Sequence, residues 1–226
     1  MCGIVGFLSD KQDKQLIELI TQSMAHRGPD EIRTSIYPTS GGYLHFGSAR
    51  LSITGLNDGS MPMEDENGNV LVYNGEIYEL NNLRSKYSLD IDSKSDTRHL
   101  LSILSKQKIE EINNLNGMYA FAFFEKENER IILGRDKLGI KPLYFGSNSR
   151  YKFYFSSEIK PLLNHNIIEN RISERSIKNY LYLGGLNSFE ALFKELEVQE
   201  PGSFSEYRKD KIIKNTRFKT SYSSSL

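Results

Sequence analysis

The stretch GMYAFAFFEKENERIILGRD, residues 117–136, decides the fold class. Small and aromatic residues alternate up to a Glu-Lys-Glu-Asn turn, and a second apolar run follows it. That period of two about a turn is a hairpin signature. Working outward, LYFG and RYKFYFSS read as a further strand pair, and GSFSEYRKDKIIKNTRF as a closing hairpin about KDK. Upstream, IRTSIY, YLHFGSARLSI and NVLVYN read as strands separated by PTSGG, NDGS and DENGN, which are turn chemistry. The thirteen tyrosines and twelve phenylalanines lie mostly at strand period, as core packing requires. In the first helical segment, Leu16, Ile17, Leu19, Ile20 and Met24 are expected on one face. YELNNLRSKY and SDTRHLLSILSKQ read as helices, the second with Ser95 as cap and Asp96 in its first turn. EIKPLL and SERSIKNYLYL are shorter helices. Many short antiparallel strands with two helical blocks make an α+β layered domain.

The 226 residues carry 29 Lys+Arg against 29 Asp+Glu, a formal net charge of zero. Scattered basic residues speak against nucleic acid or an anionic membrane as partner. One cysteine excludes an internal disulfide framework. No stretch reaches the roughly 20 apolar residues that span a bilayer, and no signal peptide is visible. The expectation is a soluble cytoplasmic domain, with the Ser-rich tail 219–226 disordered. His26, His45, His99 and His165 are widely separated, without metal-ligand spacing, so no metal or cofactor is expected.

The lone cysteine is Cys2, in MCGIVGF. A lone Cys is usually a small buried hydrophobe. At position 2, however, removal of Met1 would make it the N-terminus, joining a thiol and a free α-amine in one residue. Their reference pKa values, about 8.5 and about 7.7–8.0, both lie near working pH. The amine can then serve as base for its own side chain, the N-terminal form of an activated nucleophile. Attack on an amide needs oxyanion donors. YNGEIY offers the Asn74 side chain and the Gly75 backbone N–H at a strand end, although Asn-Gly is more often a hairpin turn. Arg50 could hold a carboxylate and Asp96 an ammonium, the two charges of an α-amino acid.

MCGIVGF, HRGPD, ARLSI, YNGEIYE, SDT, LNGMYAFAFF, GRDKLGIKPLYF and FSSEIKPLL occur in the order found in the glutaminase domain of class II glutamine amidotransferases. From Cys2 to about Phe218 the chain resembles that family, in its asparagine synthetase-like branch. The resemblance implies an N-terminal-nucleophile hydrolase fold, an αββα sandwich of two antiparallel sheets between helical layers. It implies a glutaminase domain over 2–218, with Cys2, Asn74 and Gly75 catalytic. Arg50 would bind the α-carboxylate of L-glutamine, Leu51 and Ile53 shape the pocket, and Asp96 with Glu76 take the α-ammonium. Asn74 and Gly75 also contact substrate. HRGPD would support the site, with Arg27 near the nucleophile's strand. The implied partner is an ammonia-accepting synthetase domain or subunit.

Three departures stand out. Ser40-Gly41-Gly42 lacks the Asp-Ser that completes the branch's ATP loop, so it reads as a turn. ATP binding and asparagine formation thus have no candidate residues here. Arg98 stands where the family commonly has an acid, and GSARLSI replaces the commoner HRRLSI. A non-catalytic module for assembly or amino-acid sensing, and a hydrolase of another amide, remain competing readings. Oligomeric state, including a homo-oligomer, is open at this level.

Overall fold

The computed structural model describes residues 1–53, 55–56, 58–89, 93–106, 109–185, 190–208 and 211–217. In chain order the strands are β1 (Gly3–Ser9), β2 (Glu31–Thr39), β3 (Gly42–Arg50), β4 (Met63–Glu64), β5 (Val70–Ile77) and β6 (Gly117–Glu125). They continue with β7 (Arg130–Arg135), β8 (Tyr144–Gly146), β9 (Phe153–Ser156), β10 (Glu197–Val198), β11 (Ser203–Arg208) and β12 (Lys211–Arg217). The helices are α1 (Lys14–Gln22), α2 (Leu80–Tyr87), α3 (Asp96–Lys106), α4 (Ile159–Asn164) and α5 (Glu174–Leu183). The first sheet runs β10-β8-β9-β1-β3-β2 and the second β12-β11-β7-β6-β5-β4.

The alternation in 117–125 explains the layering. Tyr119, Phe121 and Phe123 face one way, against Leu100, Leu101 and Leu104 of α3. Ala120, Ala122 and Phe124 face the other, meeting Ile4, Leu44, Phe46 and Phe155 of the first sheet. On the far side of that sheet, Val5 and Phe7 of β1 pack against Ile17 and Ile20 of α1. A strand apolar on both faces needs cover on both, so the chain stacks as helix, sheet, sheet, helix. Each fully buried ring contributes roughly 2–3 kcal/mol. This is the expected αββα sandwich.

Local expectations hold with three differences. Leu19 is 49% exposed. Residues 17 and 20 set the inward face of α1, and position 19 lies about 200° from 17 on a 3.6-residue helix. β3 ends at Arg50, so Leu51–Ile53 leave the strand. Asn74 and Gly75 lie inside β5, opposite Ala120 and Tyr119, rather than at its end. Glycine is needed there because a Cβ on Gly75 would stand 2.3 Å from the Met118 carbonyl oxygen. The final hairpin forms, but its turn at Lys209 and Asp210, together with Phe218 and the 219–226 tail, lies outside the described residues. No helix among the described residues is long and apolar enough to cross a membrane.

Candidate active site

The two sheets converge where the start of β1, the end of β3 and the middle of β5 meet. A cavity of about 100 Å³ opens there. Cys2, Arg50, Leu51, Ile53, Asn74, Gly75, Glu76 and Asp96 all line it, with Met1, Tyr73 and Lys141. Every site residue expected from the sequence is therefore on one wall or another. Arg98 is not among them. It leans outward from α3, its Nε donating to the Asp58 carbonyl at 3.2 Å.

Cys2 is half-buried and its Sγ sits 3.8 Å from the Leu51 carbonyl oxygen. Burial is the main influence on the thiol and pushes its pKa up. The Leu51 contact, the chain's terminal ammonium and Arg50 oppose this, and Asp96 adds to it. A thiol so placed is mostly protonated and needs a base to become a nucleophile.

HRGPD anchors the backbone of Cys2. The Arg27 Nε donates to the Cys2 carbonyl at 2.9 Å. Its Nη1 pairs with Glu158 at 2.8 Å, and Glu158 also meets His26 at 3.0 Å. Gly28 lets this turn press on β3: a Cβ there would stand 2.3 Å from the Ala49 carbonyl oxygen. Asp30 closes the motif, its Oδ2 accepting the Ser52 N–H at 2.7 Å.

Asn74 is fully buried, and neither its Nδ2 nor its Oδ1 has a hydrogen-bond partner among the described residues. Leaving such an amide unpaired costs roughly 1–3 kcal/mol per group. An amide held at that cost on a cavity wall keeps its N–H groups available to an acceptor that enters the cavity.

Arg50 is 5% exposed; its Nη2 donates to the Gly55 carbonyl at 2.6 Å, and its Nη1 stands 3.7 Å from Glu31. Asp96 opens α3. Its Oδ2 accepts from Tyr73 Oη at 2.8 Å and the Ile77 N–H at 3.2 Å, and its Oδ1 from the Thr97 N–H at 2.9 Å. In Glu76, burial and then the Asp96 charge push the carboxyl pKa up, while Lys141 pulls it down. The cavity thus carries two basic side chains, Arg50 and Lys141, two acidic ones, Glu76 and Asp96, and both the Cys2 thiol and the unpaired Asn74 amide.

Three contributors escaped sequence reasoning: Tyr73 through its bond to Asp96, Glu31 as countercharge to Arg50, and Lys141. Glu31 directly follows HRGPD and Tyr73 directly precedes Asn-Gly, so adjacency to those motifs was the available signal. Lys141 lies in GRDKLGIKP, which reads as a structural loop.

A family model described as "Glutamine amidotransferase domain" matches residues 1–219. Asparagine synthetase B [glutamine-hydrolyzing] of Escherichia coli (strain K12) is 36% identical over 171 residues, covering 72% of this chain and 30% of that protein. Asparagine synthetase [glutamine-hydrolyzing] 1 of Bacillus subtilis (strain 168) is 32% identical, covering 98% of this chain and 36% of that protein. The chain thus spans about a third of these relatives' length. Among solved structures, a glutamine phosphoribosylpyrophosphate amidotransferase from B. subtilis superposes with a TM-score of 0.65 at 18% identity. The match covers 97% of this chain and 50% of that one, and speaks to the fold.

Proposed function

The chain belongs to the class II glutamine amidotransferase domain family, of the asparagine synthetase type, and from that premise we propose that it hydrolyses L-glutamine to glutamate and ammonia through a thioester on Cys2. The unit we assign to this reaction is residues 2–218, acting in the cytoplasm, with no cofactor. The observation that carries the proposal is the Cys2 thiol on the same small cavity as the buried, unpaired Asn74 amide.

Met1 must first be removed. It lines the cavity, so its loss enlarges the space and frees the Cys2 amine. Arg50 takes the α-carboxylate of glutamine, while Asp96 and Glu76 take the α-ammonium. Leu51 and Ile53 border the aliphatic chain. The Cys2 amine, directly or through a water, removes the thiol proton as Sγ bonds to the amide carbon. The carbonyl electron pair moves onto oxygen, which accepts from Asn74 Nδ2 and the Gly75 N–H. When the tetrahedral species collapses, the carbon–nitrogen bond breaks and the amine's proton leaves with ammonia. Water then adds to the γ-glutamyl thioester, giving one proton to the amine. Sγ departs, regains a proton, and glutamate is released.

The ammonia is proposed to serve a synthetase-like, ATP-dependent domain or subunit. The test is glutamate release by Met-processed protein against a Cys2→Ala variant. Loss of release in the variant supports the proposal, and equal rates overturn it.

A further inference from the structure

The segment after β7 is held from both sides. The Asp136 carboxylate accepts the N–H groups of Leu138, Ile140 and Lys141 at 3.0–3.1 Å. The Arg135 guanidinium donates to the carbonyls of Lys141 and Gly139 at 2.7 Å and of Gln199 at 2.8 Å. This clamp leaves Leu138 and Ile140 exposed and turns Lys141 inward, where it is 5% exposed on the cavity wall. Among the described residues no hydrogen bond or salt bridge engages its ammonium. Burying a lysine unpaired is unfavourable, and such groups usually lose their charge or serve a charge nearby.

The charged and titratable groups on this cavity are Cys2, Arg50, Tyr73, Glu76 and Asp96, besides the terminal amine. Asp96 is already engaged by Tyr73 and two backbone N–H groups. Glu76 is not; its carboxylate makes no hydrogen bond or salt bridge among the described residues. We propose that Lys141 is a positioning residue: its ammonium sustains the negative charge of Glu76, so that Glu76 reads the α-ammonium of the substrate. Lys141 opposes the upward push that burial and Asp96 exert on the Glu76 carboxyl. Because it does so from beyond ion-pair contact, the carboxylate oxygens stay open for the substrate cation. This inference rests on the glutamine-site reading above.

The sign is fixed by charge. Without Lys141, Glu76 takes up a proton at higher pH, and a neutral carboxyl attracts an ammonium poorly. The experiment is glutamine hydrolysis from about pH 5.5 to about pH 8.5 by processed wild type, K141M, K141Q, K141R, E76Q and K141M/E76Q, with thermal melts as the folding check. K141M, or K141Q if K141M misfolds, is expected to raise KM several-fold at the acid end of this range and little at the alkaline end. Its kcat should stay within about twofold of wild type, and K141R should restore the wild-type profile. In the E76Q background KM is raised but flat with pH, and K141M adds nothing. A K141M profile that superposes on wild type, or an equal KM rise in the E76Q background, overturns the inference. Calorimetric glutamine binding to a Cys2→Ala background reads the same pH-dependent ratio. It separates this inference from the hydrolysis reading, which fails instead if wild type shows no Cys2-dependent release.

Discussion

Arg27 holds the carbonyl oxygen of Cys2 through its Nε at 2.9 Å, while its other end is fixed by Glu158 at 2.8 Å. The backbone at Cys2 is thereby tied to the HRGPD turn and to the start of α4, two segments remote in sequence. For a reaction in which sulfur must meet a carbon within a fraction of an ångström, that tether acts on geometry. Arg27→Ala is expected to lower kcat about 10²-fold with a smaller change in KM. It also removes the ion pair with Glu158, which keeps His26 as a partner at 3.0 Å, so the loss of stability should be no more than about 1 kcal/mol. Steady-state kinetics with a urea melt checks both, and an unchanged kcat would contradict the tether.

Asn74 should separate activity from stability. Asn74→Ala is expected to lower kcat about 10²–10³-fold by removing an oxyanion donor. The same change removes two buried polar atoms that lack partners. Its melting temperature should therefore hold or rise, whereas a mainly structural asparagine would lose stability together with activity. Kinetics and calorimetry on one preparation distinguish the two.

Gly28 tests the fit of HRGPD against β3. Gly28→Ala places a methyl 2.3–2.6 Å from the Ala49 and Arg50 backbone. Backbone cannot yield as a flexible side chain can, so a loss of more than about 2 kcal/mol is expected. The displacement is at Arg50, so KM for glutamine should rise more than kcat falls. A melt and a KM measurement indistinguishable from wild type would refute the contact.

His45 predicts a stability limb with pH. Its ring stacks on Phe7 at 4.2 Å, and its Nε2 accepts the Asp13 N–H at 2.9 Å, which requires the neutral tautomer. Burial lowers its pKa, outweighing the contacts with Phe7 and Tyr43 that raise it. The unfolded chain therefore takes up the proton first. The stabilisation is complete above the unfolded value near 6.5 and is lost as pH falls from there through the lower folded value. Urea unfolding between about pH 5 and pH 8 should show that decline, and His45→Gln should flatten it. An undiminished slope in the variant would assign the limb to other groups.

Much of this was readable from the residues because local pattern and tertiary demand agree. Alternation in 117–125 requires cover on both faces and so foretells layers. The order of motifs from Cys2 to FSSEIKPLL foretells which side chains gather, although they come from separate elements. Where sequence reasoning fell short, long-range contacts decide. Asn74–Gly75 looks like a turn because Asn-Gly suits one, yet close approach of β6 keeps it in a strand. Lys141 looks structural because its neighbours Asp136 and Arg135 are. That it reaches the wall of the same cavity as Glu76 depends on how those two residues clamp the loop, which no local pattern encodes. Glu31 faces Arg50 only because β2 pairs with β3 in that register.

The most direct test is intact-mass and peptide analysis of Met-processed protein quenched in acid during turnover with glutamine. The account predicts a γ-glutamyl adduct carried by the Cys2 peptide, formed and decaying at rates compatible with glutamate release, and missing from Cys2→Ala. Undiminished glutamate release from Cys2→Ala, or turnover with Met1 still attached to Cys2, would contradict it.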